Sequence, residues 1–218
     1  MKQKTLFIVA SILLLVGFAA GMFIYNQQQQ EAANQLAAAN RAALLRMHAP
    51  SLGKADAPVV IVEFLDPACE TCAAFYPRVK ELMAAHPDKI RLVLRYAPFH
   101  PGSDKVVAVL EAARRQDKFW PALEALLANQ NGWTQNHVAY ADRTWKHLDG
   151  LGLNMEQMAF DITAPEIAGV IEQDLADARS LKVSKTPEFF VNGKPLPSFG
   201  FAQLQALVEQ ALAETSQR

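Results

Sequence analysis

Apolar positions along this chain fall into three rhythms. The first is continuous: from Leu6 to Tyr25 twenty residues pass without a charge. At a rise of about 1.5 Å per residue, a helix of that length reaches about 30 Å, the depth of a bilayer's hydrocarbon core. Lys2 and Lys4 precede it, and the stretch behind it up to residue 46 carries only Glu31, Arg41 and Arg46. The positive-inside rule then sends the remainder of the chain across the membrane. Residues 1–25 read as a membrane anchor. A signal sequence cut near Ala19 or Ala20 is the other reading, but apolar residues run on through Met22, Phe23, Ile24 and Tyr25, past the roughly 7–15-residue core of such signals. Gly17 and Gly21 are small residues four apart, a spacing that lets two copies pair, so a homo-oligomer is one expectation.

The second rhythm is helical. Residues 26–49 are rich in Gln and Ala, with Leu36, Ala39, Ala43 and Met47 at helical spacing, which predicts a helical stalk. Pro50 to Pro58 holds turn-formers and predicts a linker into a domain over 50–215.

The third rhythm alternates strand and helix. Val59–Leu65 (VVIVEFL) is a strand buried on both faces, Cys69–Ala85 a helix, and Ile90–Tyr96 (IRLVLRY) a second strand, which together make a βαβ unit. Residues 103–182 show no strand pattern and predict a helical insertion, with helices over Ser103–Gln116, Lys118–Asn129, Asn136–Leu148, Asn154–Ile162 and Glu166–Leu181. Glu188–Val191 followed by Asn192-Gly193 is a hairpin signal, and Phe201–Glu214 an amphipathic helix. The order predicts an α/β sheet with a helical insertion.

Composition narrows the chemistry. The 218 residues suffice for a buried core, and a net charge of −1 leaves no electrostatic footprint for nucleic acid. Two cysteines cannot build a disulfide framework or a four-thiolate metal site. They stand as Cys69-Glu70-Thr71-Cys72, directly after a strand and opening a helix. Orphan N–H groups and the helix dipole stabilise an anion there, favouring a Cys69 thiolate. Cys72 lies one turn deeper, placed to resolve a mixed disulfide. A zinc site needs two further ligands, and His48, His86, His100, His137 and His147 are isolated in the sequence; a haem motif would need His where Ala73 stands. The expectation is redox chemistry with no metal.

Three further positions bear on it. Glu63 sits in the apolar strand six residues before Cys69. Buried, its raised pKa would suit a proton acceptor for Cys72; on the other face it would meet solvent. Pro77 falls inside the cysteine helix, where it removes a hydrogen bond and favours a kink. Thr186-Pro187 precedes a strand, a setting compatible with a cis bond that frees neighbouring backbone to pair with an extended substrate.

Val60-Ile61-Val62-Glu63-Phe64, Cys69-Glu70-Thr71-Cys72, Pro77 and Thr186-Pro187-Glu188-Phe189-Phe190-Val191-Asn192-Gly193 together resemble the DsbA-like branch of the thioredoxin superfamily, over about residues 50–215. The resemblance implies a thioredoxin fold with an inserted helical domain and thiol–disulfide exchange outside the cytoplasm. It implies Cys69 as attacking thiol, Cys72 as resolving thiol, Pro187 as the cis proline and Glu63 as the buried acid, with Thr186, Glu70 and Thr71 meeting substrate. It also implies no cofactor beyond a Cys69–Cys72 disulfide. Exported cysteine-containing proteins would be the clients, a DsbB-like or DsbD-like membrane protein the redox partner, and the periplasmic side of a bacterial inner membrane the location. The inner pair departs from the His of strong DsbA-type oxidases. An acidic Glu70 beside Cys69 is expected to raise its pKa and move the potential from about −120 mV toward about −270 mV. A competing expectation is a copper-handling module, since paired thiolates suit Cu(I).

Overall fold

The computed structural model describes residues 2–216; Met1 of the expected anchor lies outside them. Two units are distinct, one ending at Ala39 and one running from Asn40 onward. Helix α1 (Lys2–Leu44) is unbroken, so anchor and stalk residues share one helix. Its stretch Phe7–Leu44 is, among the described residues, the one helix long and apolar enough to cross a membrane. The second unit keeps the last turn of this helix: Leu44 is buried at 1% exposure.

Two residues of the expected linker join the sheet, and the rest of it turns. Strand β1 (Ser51–Leu52) pairs antiparallel with β3 (Ile90–Tyr96), setting Ser51 opposite Val93. The short apolar step at Leu52 suffices for an edge strand, and the Leu94 N–H donates to the Pro50 carbonyl at 2.9 Å, extending the pairing past the proline. Strand β2 (Val59–Leu65) is central. It runs parallel to β3 and antiparallel to β6 (Glu188–Val191), which turns through Asn192-Gly193 into β7 (Lys194–Pro195). The order is β1-β3-β2-β6-β7. The parallel β2–β3 pair needs a crossover, and α2 (Glu70–Ala85) supplies it.

Both faces of the sheet are covered, which is why β2 carries an apolar run. Ile61, Leu65, Leu92, Leu94, Phe189 and Val191 pack with α2 and the following helices. Val62, Phe64, Val93 and Phe190 pack on the opposite face with Leu44, Ala178 and Val183. That face also holds a buried ion network. Arg95 donates from Nη2 to Asp174 and Asp177, both at 2.7 Å, and from Nη1 to the Ala43 carbonyl. Arg46 binds Asp177 through two 2.8 Å bonds, and His48 Nε2 lies 2.6 Å from Asp174. These bonds tie residues 43–48 to β3 and to α6 (Pro165–Ser180).

Helices α3 (Ser103–Arg114), α4 (Phe119–Ala128) and α5 (Met155–Asp161) precede α6, and α7 (Phe201–Ser216) closes the fold. The expected helix over Asn136–Leu148 does not form. Asn136 and His137 adopt φ of 51° and 60°, turning a tight hairpin between β4 (Thr134–Gln135) and β5 (Val138–Ala139), followed by two single 3₁₀ turns. Two successive left-handed residues cannot sit in a right-handed helix, and such a pair is what a two-residue hairpin turn requires.

Candidate active site

The β2 strand ends at Leu65, and Asp66 turns the chain into α2. Its carboxylate is fully buried and accepts from the N–H groups of Ala68 at 2.9 Å and of Phe99 and His100 at 2.8 Å, from His100 Nδ1 at 2.6 Å, and from the Ser103 hydroxyl. One aspartate thus pins the approach to the cysteines against the start of α3. Gln130 reinforces it, donating to the Pro67 carbonyl at 2.8 Å. Cys69 then stands as the N-terminal cap of α2, with extended backbone (φ −80°, ψ 119°), and Glu70 opens the first turn. Pro77 lies inside α2, which runs as one element from Glu70 to Ala85.

Both cysteines are free thiols. Cys69 is 6% exposed and Cys72 fully buried, as the one-turn spacing dictates. The Cys69 pKa is lowered to about 5. Hydrogen bonding from the Cys72 thiol is the largest cause; burial opposes it, and the Thr186 side chain and the N–H groups of Cys72 and Thr71 add to it. Glu70 is not among the causes, contrary to the expectation that its carboxylate would raise Cys69. It points instead to His137, whose Nδ1 lies 3.5 Å from Glu70 Oε1. Cys72 is pushed well up, by burial first, then by its bond to Cys69 and the charges of Glu63 and Cys69.

The alternation of β2 settles which way Glu63 faces. It shares a side with Ile61 and Leu65, opposite Leu94 and Phe189, and so lies on the α2 face with Cys72. Glu63 is fully buried, and among the described residues neither carboxylate oxygen has a hydrogen-bond partner. Burial raises its pKa to about 8, with a smaller push from Cys69. The Thr186-Pro187 peptide is cis. The Thr186 carbonyl lies 3.3 Å from the Cys69 sulfur, so the loop before β6 faces the cysteine. Pro187 is buried and Thr186 half-buried, while Glu70 and Thr71 are exposed beside Cys69. The fold thereby gathers the six other sequence-selected positions about the Cys69 sulfur, with Glu63 beneath it.

Residues 45–210 match the thioredoxin family. The chain belongs to the thioredoxin family. Among solved structures, its thioredoxin domain is similar to a thioredoxin-like oxidoreductase from Silicibacter pomeroyi, at 33% identity and a TM-score of 0.69, over 79% of this chain and 98% of that one. It shares the fold of BdbD from Bacillus subtilis (22% identity, TM-score 0.67, 76% and 93% covered). The catalytic domain of Proteus mirabilis ScsC is similar too (20% identity, TM-score 0.67, 82% and 98% covered). Among curated proteins, the thioredoxin domain is 33% identical over 145 residues to a protein named Na(+)/H(+) antiporter NhaA from Herminiimonas arsenicoxydans. That match takes in 66% of this chain and 22% of the relative, so the chain spans about a fifth of the relative's length.

Sequence reasoning passed over Asp66, Gln130, His100 and His137. Asp66 carried a signal as an acid between a buried strand and a proline, where caps belong. The two histidines, isolated in sequence, are neighbours in space: their rings lie 6.0 Å apart, stacked at 25°. Nothing local announces that pairing, because a βαβ crossover and a hairpin bring it about.

Proposed function

We propose that this chain is a membrane-tethered thiol–disulfide oxidoreductase acting on cysteines of exported proteins. The observation that carries the reading is Cys69: a sulfur at a helix N-terminus, with its pKa lowered to about 5 and a buried partner thiol one turn away. At pH 7 about 99% of such a group is thiolate. The thiolate attacks a client disulfide, forming a Cys69–client bond and releasing the other client sulfur as a thiolate. Cys72 then loses its proton to Glu63, through the fraction of that acid ionised below its pKa of about 8, and attacks the Cys69 sulfur. The second client thiolate departs, the client is reduced by two electrons, and the Cys69–Cys72 disulfide holds the oxidised equivalent. The same steps reversed oxidise a client dithiol.

Burial of Glu63 suits this relay, since an acid near 8 accepts a proton and returns it near neutrality. Client backbone would meet the exposed side of the Thr186-Pro187 loop. A thiolate at about 5 falls between the thioredoxin value of about 7 and the DsbA value of about 3.5. It supports a potential between about −270 and about −120 mV. A DsbB-like oxidase or a DsbD-like reductase in the same bacterial inner membrane would reset the pair, with the thioredoxin domain on the periplasmic side.

The test is a Cys72→Ala chain expressed with its anchor. Disulfide-linked adducts with exported proteins should accumulate, vanish on reduction, and be lost in Cys69→Ser/Cys72→Ala. A reactive Cys69 that traps no protein would overturn the proposal.

A further inference from the structure

Beside the cysteine pair lies a second group of donors that the exchange chemistry does not use. Glu70, His100 and His137 each bring one ligand atom within 4.8 Å of the other two. They come from three separate parts of the fold: the first turn of α2, the loop after β3, and the tip of the β4–β5 hairpin. We propose that these three side chains form a binding site for a divalent transition-metal ion of the Zn²⁺ type.

The donor set is the first argument. Two imidazoles and one carboxylate suit zinc and its neighbours, and three protein ligands leave a coordination position open. The second argument lies behind the ligands. A carboxylate only accepts, so the 2.6 Å contact of His100 Nδ1 with Asp66 puts the proton on that nitrogen and leaves Nε2 as the ring's free lone pair. Asp66 is fixed by its further bonds from Ala68, Phe99, His100 and Ser103. A carboxylate that holds and polarises an imidazole through its far nitrogen is the support that metal-binding histidines have, and it strengthens the ring as a ligand.

Geometry makes closure cheap. Ligand atoms of a four-coordinate zinc stand about 3.3 Å apart, from bond lengths of about 2.0–2.1 Å. The Glu70 Oε1 to His137 Nδ1 distance of 3.5 Å is close to that already. Both side chains are exposed, 56% and 74%, and free to move inward, while His100 is held at 23%. The strained tip of the hairpin, with left-handed Asn136 and His137, delivers the His137 ring over that of His100.

The test is calorimetric titration of the tag-free full chain with ZnCl₂ in its oxidised form, so that the Cys69–Cys72 disulfide removes both thiolates from competition. The expected result is one Zn²⁺ per chain, bound in the micromolar range or tighter. His137→Ala and Glu70→Gln should each weaken it at least about tenfold, as loss of one ligand in three requires. Both positions are exposed, so the variants should keep the wild-type far-ultraviolet dichroism. Absence of binding to the oxidised chain would overturn the proposal, as would wild-type affinity in both variants. Binding confined to the reduced chain would assign the metal to the thiolates and likewise defeat it. None of these outcomes depends on exchange activity.

Discussion

Moving the pH across the Cys69 titration should change how many protons accompany the two electrons of the disulfide. With Cys69 at about 5 and Cys72 far above it, reduction from about pH 5 to about pH 8 takes up one proton, and below pH 5 it takes up two. The potential should fall by about 30 mV per pH unit in the upper range and about 59 mV per unit in the lower. The break marks the Cys69 pKa. Relative to a thiol titrating near 9, the reduced form at pH 7 gains two units of about 1.36 kcal/mol, about 2.7 in all. Solvent screening from the side of the exposed Glu70 and Thr71 leaves about 2 kcal/mol, which raises the potential by about 40 mV. The sign is that of a depressed group: the contribution to the reduced fold disappears as pH falls through about 5. The assay equilibrates the protein with glutathione buffers between about pH 4 and about pH 8, approached from both redox sides with a chelator present, then quenches, alkylates and weighs it. A single unbroken slope of about 59 mV per unit up to about pH 8 would show Cys69 protonated throughout and refute the reasoning.

Glu63→Leu should stabilise the oxidised protein at pH 7 by about 3 kcal/mol, because the unfolded acid ionises near 4.5 while the folded one stays protonated to about 8. The penalty it relieves grows with pH between those values, and denaturant midpoints at pH 4 and pH 7 read it; equal gains at both would contradict the assignment. The same variant should slow release of a trapped client at pH 8 or above, as followed by quenched alkylation, since Cys72 loses its proton acceptor. Arg95→Leu should cost about 3–5 kcal/mol by stranding Asp174 and Asp177, whereas Arg46→Leu, at the partly exposed end of the same network, should cost less. Similar losses in urea unfolding would show the network is not hierarchical. Gln130→Leu, which removes the donor to the Pro67 carbonyl, should cost about 1–3 kcal/mol in the same assay. No loss of stability would count against its role in holding the approach to Cys69.

The thioredoxin core was readable because its signals are local. The apolar run of β2, the Cys-x-x-Cys at a helix start and the Asn-Gly turn each announce themselves within a few residues. What escaped is long-range or cryptic. Ser51–Leu52 is too short to show strand alternation, and its pairing with β3 follows only from tertiary placement. The stretch after Asn136 has helix-compatible composition, yet left-handed Asn136 and His137 override it. Position 63 was legible as an odd acid in an apolar strand, but its direction needed the register against Phe189 and Leu94. The nearness of Glu70 to His137 was not legible, because the two stand 67 positions apart and meet only through a hairpin.

The knot of charges around Arg95 bears on where this polypeptide can be cut. Leu44, Arg46 and His48 plug the underside of the sheet, so they belong to the thioredoxin domain itself and not to the apolar helix before it. Trimming at Pro50, where the sequence invites a boundary, would uncork that face and strip two partners from Asp174 and Asp177. A water-soluble form for biochemistry should therefore start upstream of Asn40, and proteolytic shaving of the native protein should stall at that point.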